Sequence, residues 1–167
     1  MLNWLKKVLM LSLVALVAAC GGGDDDGPGN IVQVAKGDAR LGILVEAVTA
    51  AQLADTLSGP GPYTVFAPTN DAFAALLAEL GVTKEQLLAN KPLLTQVLTY
   101  HVVPGLVLKA EVPVNTPIKT VQGGSFTVTP ALTITDQRAR SAGIVATDVF
   151  ASNGVVHVID KVILPAP

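Results

Sequence analysis

Cysteine occurs once in the 167 residues, at Cys20, so no disulfide forms within the chain and packing alone must hold its fold together. Histidine occurs twice, at His101 and His157, 56 positions apart, and the one aspartate run, Asp24–Asp26, does not have the spacing of a calcium loop. No metal centre or cofactor is expected. Aromatic residues make up only 4%, which leaves a sugar-stacking platform poorly supplied and argues against a specialised lectin. Charge is equally sparse. With Lys6, Lys7 and Asp24–Asp26 set aside, nine basic and ten acidic side chains remain, a net charge of −1, whereas nucleic acid calls for a basic face. Val8–Ala19, an apolar run of twelve residues, is shorter than the roughly 20 a membrane span requires.

That run follows Lys6 and Lys7 and has the length of a secretory signal core, so residues 1–19 read as an export signal. It ends in Val17-Ala18-Ala19-Cys20, which resembles the lipobox of bacterial lipoproteins, where the cysteine is acylated and becomes the mature N-terminus. The alternative is an incidental thiol beside an ordinary cleavage site. Two or three acyl chains would anchor the protein durably, where one holds only marginally. Gly21–Gly29, GGGDDDGPG, cannot bury apolar surface, so residues 20–29 read as an acylated cysteine followed by a flexible tether. Nine such residues span roughly 15–18 Å root mean square and about 30 Å fully stretched. Gly21, rather than Asp, after the cysteine resembles the outer-membrane default of Gram-negative lipoproteins. Residues 30–167 have the length of one domain.

The first half of that domain has helical periodicity. Leu41, Leu44, Val45 and Val48 form one stripe behind an Asp38 cap, and a shorter segment covers Leu53–Leu57 before the breaker Ser58-Gly-Pro-Gly-Pro62. Tyr63–Ala67 reads as a buried strand ended by Pro68, followed by capping oxygens at Thr69, Asn70 and Asp71 and a helix whose stripe is Phe73, Leu76, Leu77 and Leu80. Thr83-Lys-Glu-Gln86 has the form of a capping box, and Asn90-Lys-Pro92 opens a helix with Leu94, Val97, Leu98 and His101 on one face. After Val102 the pattern turns to strands: Phe126 and Val128, Leu132 and Ile134, Ile144–Phe150, then an Asn153-Gly154 turn and a last strand, Val155–Leu164, the longest expected. Helices first and antiparallel strands later imply an α+β domain.

Three stretches resemble the signatures of fasciclin domains: Tyr63–Phe73, Tyr100–Gly105 and Ala151–Asp160. The resemblance covers nearly all of residues 30–165 and implies a wedge of two β-sheets flanked by helices. It also implies adhesion, extracellular matrix contact and, in bacteria, envelope or biofilm attachment. It points to the Thr69–Asp71 turn as the partner of His101. Tyr100 and His101 are either core residues or part of a surface contact used for partners, and both readings stand at this stage.

Ser152, His157 and Asp160 invite a hydrolase reading, but on one strand residues 157 and 160 project to opposite faces. No serine lies in a Gly-x-Ser-x-Gly elbow. Ser152, Asn153, His157 and Asp160 are therefore expected to be structural polar groups, satisfied locally. Pro104–Pro117 is either an exposed recognition loop or a connector that packs its hydrophobes inward. The chain is expected to be a non-enzymatic, lipid-anchored envelope module, at the outer membrane on its periplasmic face or at the cell surface. Its partners would be the membrane, through Cys20, and an envelope or matrix macromolecule. The alternatives are a periplasmic module binding peptidoglycan, a small ligand or an envelope protein, and, behind that, a hydrolase.

Overall fold

A computed structural model of the chain describes residues 27–167; the expected signal, Cys20 and most of the expected tether lie outside the described residues. The fold begins with α1 (Ile31–Gly37), which the sequence reading did not anticipate. Asn30 and Gln33 form a reciprocal capping box, 3.0 and 2.8 Å, and Ile31, Val32 and Ala35 turn inward. Asp38 accepts from the Arg40 amide at 2.9 Å and starts a single 3-10 turn that runs into α2 (Gly42–Ala50). The short α3 (Ala54–Ser58) leads to β1 (Tyr63–Pro68).

Thr69 caps α4 (Asn70–Leu80) by accepting from Ala72 at 3.2 Å, and Gly81, with φ of 65°, ends it in the left-handed conformation that costs glycine least. Phe73 and Leu76 are buried, but Leu80 is 42% exposed, so the expected stripe is one turn too long. Capping by Thr83 and Gln86 opens α5 (Lys84–Ala89), and Asn90 opens α6 (Lys91–Tyr100). His101 is the C-terminal cap of α6.

The strands β2 (Val102–Pro104), β3 (Pro117–Lys119), β4 (Ser125–Val128), β5 (Thr133–Thr135), β6 (Ser141–Ala151) and β7 (Gly154–Ile159) join β1 in the order β2-β1-β7-β6-β5-β4-β3. The two sheets of the wedge share one strand: residues 141–143 of β6 pair with β5, and residues 144–151 pair with β7. Register shifts on either side of Ala146, and a φ of 56° at Asp148, bend β6 between its two duties. The α+β class holds, with one departure from the antiparallel expectation. β1 and β7 run parallel, Tyr63 opposite Gly154 through Pro68 opposite Ile159.

The last strand also stops early, at Ile159, and β6 is the longest. Val162, Ile163 and Leu164 are buried without being strand. Two of their amides are met by side chains, Ile163 by His101 Nε2 at 3.1 Å and Leu164 by Asp136 Oδ2 at 2.9 Å, so the apolar run signalled burial rather than a ladder.

Two cores result. Val65, Ala67, Val156 and Val158 face the helices, where Ile31, Leu44, Phe73, Leu76, Leu94 and Leu98 cover them. Alternation along the same strands sends Phe66 and Ile159 into the wedge with Tyr100, Phe126, Val128 and Ile134. Phe66 and Phe126 meet edge-to-face at 5.0 Å, and Tyr100 meets Phe126 at 6.0 Å. Each such side chain contributes about 1.5–3 kcal/mol by leaving water.

Candidate functional site

Tyr100 and His101 end α6 inside the protein, at 0% and 1% exposure, so neither is available as a surface contact. The Tyr100 hydroxyl donates to the Ser125 carbonyl at 2.8 Å and accepts from the Gln137 amide at 3.2 Å, tying α6 to the wedge. Burial pushes its pKa up to about 12. His101 bridges two chain segments. A carbonyl can only accept, so Nδ1, 2.7 Å from Val97 O, carries the proton, and Nε2 is left to accept from Ile163 N. The neutral ring thus satisfies one orphan carbonyl at the end of α6 and one amide of the C-terminal segment. Burial holds its pKa down at about 4, against the opposing pull of Val97 O and the Asp136 charge.

The Thr69–Asp71 turn is not the partner of His101, contrary to the expectation. Thr69 caps α4 and donates its own amide to Ile159 O at 3.1 Å. Asn70 accepts from Ile43 N and donates to Ala39 O, both at 2.9 Å, which fastens the start of α4 to the first turn of α2 and the 3-10 turn before it. Asp71 is exposed in the first helical turn, where its charge faces the positive end of the helix dipole.

The residues of the suspected triad have separate partners. Ser152 is exposed, and its amide donates to Gly29 O at 3.0 Å. Asp160 lies just past β7 and accepts from Gly143 N at 2.7 Å. His157 is 1% exposed; it takes the opposite tautomer to His101, with Nε2 toward Val107 O at 2.8 Å and Nδ1 accepting from Asp148 N at 3.3 Å. The parity argument assumed a strand running through residue 160, which it does not, yet the separation it expected is present. Satisfaction is not local, however: His157 reaches 50 residues back, and Asn153 reaches α1 and α3. The Asn153 side chain accepts from Ile31 N at 2.9 Å and donates to Leu57 O and Gly59 O at 2.7 and 2.9 Å, while its carbonyl accepts from Tyr63 N at 3.1 Å.

Sequence reasoning missed Asp136. Its carboxylate is buried and accepts from the amides of Arg138, Arg140 and Leu164, each at 2.9 Å. The Asp-Gln-Arg-Ala turn, with Ala139 at a φ of 59°, was the available signal.

Comparison with known proteins agrees with this architecture. The fasciclin-domain sequence pattern matches residues 39–165. The chain belongs to the fasciclin-domain family. Protein sll1483 of Synechocystis is 47% identical over 138 residues, covering 81% of this chain and 73% of that protein. The transforming growth factor-beta-induced protein ig-h3 of Sus scrofa is 36% identical over 137 residues, 82% of this chain but only 19% of the larger protein. A solved domain pair from the insect cell adhesion molecule fasciclin I superposes with a TM-score of 0.73 at 14% identity, over 83% of this chain and 51% of that one.

Two concavities in this fasciclin domain bear on what it can bind. Between α1–α3 and the sheet lies an apolar cavity of about 20 Å³, lined by Ile31, Leu44, Leu57 and Val156 among others and reached by His101. Small-molecule sites run roughly 300–1,000 Å³, so this space suits at most a water-sized occupant. The second is an open groove of about 430 Å³ at the β6–β7 hairpin, bounded by Pro60, Pro62, Leu106, Phe150 and Ser152. The Pro104–Pro117 connector divides between its two readings: Val112 is buried, whereas Leu106 and Val114 are 46% and 44% exposed. Among the described residues no three His, Cys, Asp or Glu side chains group closely enough to hold a metal ion.

Proposed function

We propose that this fasciclin domain is a non-enzymatic attachment module, acylated at Cys20, that fastens the cell envelope to a neighbouring macromolecule. One observation carries the non-enzymatic part: both histidines have both ring nitrogens committed to backbone groups, at 1% exposure. A general base so committed has no position from which to activate a hydroxyl. Attachment is supported by the family, one of whose solved members is described as a cell adhesion molecule. Where one domain binds weakly, many copies on one membrane supply avidity.

The reading assigns the domain to the outer membrane, within the roughly 30 Å that nine tether residues reach. Adhesion between cells follows if it faces outward, and scaffolding of peptidoglycan or an envelope protein if it faces the periplasm. The enclosed cavity of about 20 Å³ leaves a small ligand no buried site, which leaves the open hairpin groove as its place to bind. Crosslinking in intact cells, followed by identification of captured macromolecules, tests the proposal. Capture of one specific matrix or envelope component is expected, and its loss in Cys20→Ala would tie attachment to the anchor. Hydrolysis of ester substrates that disappears in His157→Ala would refute it.

A further inference from the structure

The chain enters the described fold beside the hairpin groove. Gly29 O is held by Ser152 N at 3.0 Å, and the first amide of α1 is held by Asn153 Oδ1 at 2.9 Å. Ser152 and Asn153 also border the groove. Whatever anchors Cys20 therefore acts on this corner of the molecule, from no more than about 30 Å away, the full reach of nine residues.

The groove has the chemistry of a surface meant to leave water. None of its lining residues carries a charge. Phe150, 57% exposed, is the most exposed large apolar side chain among the described residues, and Leu106 stands across the groove at 46%. Pro60 and Pro62 bring no amide donor, and Pro62 O already accepts from Gly105 N at 3.0 Å. Both amide hydrogens of Asn153 are used, and Asn153 O accepts from Tyr63 N. Asp148, two positions before Phe150, has its carboxylate on Lys109 N at 2.8 Å. Covering this face leaves only the Ser152 hydroxyl and the nearby Asp148 charge to be met by headgroups, which suits contact at the polar boundary of a bilayer rather than in its hydrocarbon. The other end of β6 is different in kind: Arg140, just before its first residue, pairs with Glu79 at 2.7 Å.

We propose that the groove edged by Leu106 and Phe150 is a lipid-docking face, resting on the same bilayer that receives the Cys20 acyl chains. This rests on the acylated-anchor reading above. The acyl chains supply attachment, and the face supplies orientation: Phe150 and Leu106 enter the headgroup boundary as interfacial side chains do, and the charged Glu79–Arg140 end points away from the membrane.

The test uses the full, processed chain reconstituted in vesicles of phosphatidylethanolamine and phosphatidylglycerol. Phe150→Cys, Leu106→Cys and Leu80→Cys are each labelled with an environment-sensitive fluorophore and quenched with spin-labelled lipid. Mass spectrometry of the same samples reads the acyl modification at Cys20. Quenching at positions 150 and 106 at least about twofold stronger than at position 80 is the expected result. Equal quenching at all three positions, with Cys20 acylated, overturns docking and leaves the anchor standing. An unmodified Cys20 overturns both. A shift at position 150 that persists in detergent and vanishes on dilution shows a second copy in the groove, which also overturns lipid docking. Because all three positions are exposed, the variants fold, and circular dichroism verifies it.

Discussion

Acidification should loosen this domain through one residue. His101 is 1% exposed, its ring is held neutral between Val97 O and Ile163 N, and its folded pKa is depressed from 6.5 to about 4. In the unfolded chain the imidazole takes up its proton near pH 6.5, whereas the folded protein resists doing so until near pH 4. Between those values the unfolded state binds more protons, so stability falls as pH falls. The full depression corresponds to about 3 kcal/mol, and about 2 kcal/mol of it is lost between pH 7.5 and pH 5.

A second effect reinforces the first. A protonated ring would aim an N–H at the Ile163 amide, which needs an acceptor. The assay is urea unfolding followed by far-ultraviolet circular dichroism across that pH range, for the wild type and for His101→Gln. Carboxylates titrate in both proteins, so the difference between the two curves isolates the histidine. The variant should be less stable at pH 7.5 by about 1–3 kcal/mol, having lost one or both backbone bonds, and its stability should change less with pH. Parallel curves for the two proteins would refute the assignment of His101 as a neutral brace.

Tyr100→Phe removes the hydroxyl shared by Ser125 and Gln137 and should cost about 1–2 kcal/mol in urea unfolding, while capture of the attachment partner stays unchanged because the side chain is buried. Asn153→Ala abolishes three bonds that gather α1, α3 and the hairpin; a loss of about 2–4 kcal/mol is expected, with amide hydrogen exchange rising first in α1. At Gly154 a methyl group would overlap the Tyr63 carbonyl across the parallel ladder, so Gly154→Ala should fail to give a soluble folded protein, and a cooperative unfolding transition near that of the wild type would contradict this.

Features set by neighbouring residues were readable in the sequence. The Thr69 cap, the Thr83–Gln86 box and the Asn90 start of α6 all formed where their side chains indicated, because each depends on groups three residues away; the hairpin turn fell one residue earlier than Asn153-Gly154 indicated, at Ser152–Asn153, with Gly154 already paired to Ala151. α1 escaped notice because seven residues are too few to display a stripe, although Asn30 and Gln33 already spelled its cap. Long-range partners were beyond reach. The same apolar letters at Val162–Leu164 serve a strand or a buried coil equally well, and the choice was made by His101 and Asp136, 62 and 28 residues away. His101 was recognised as buried from its stripe, but the turn assigned to it proved to be occupied with fastening α4 to α2 and the 3-10 turn before it.

The parallel pairing of β1 with β7 has a bearing on how the chain comes to be folded at all. Every rung joins residues 91 positions apart, Tyr63–Pro68 with Gly154–Ile159. Closing so large a loop is slow, and it cannot begin until β1, β7 and the 85 residues between them are in one compartment. If the chain is exported N-terminus first, as we propose, its first keystone strand crosses well before its second, and the domain stays pliable in between.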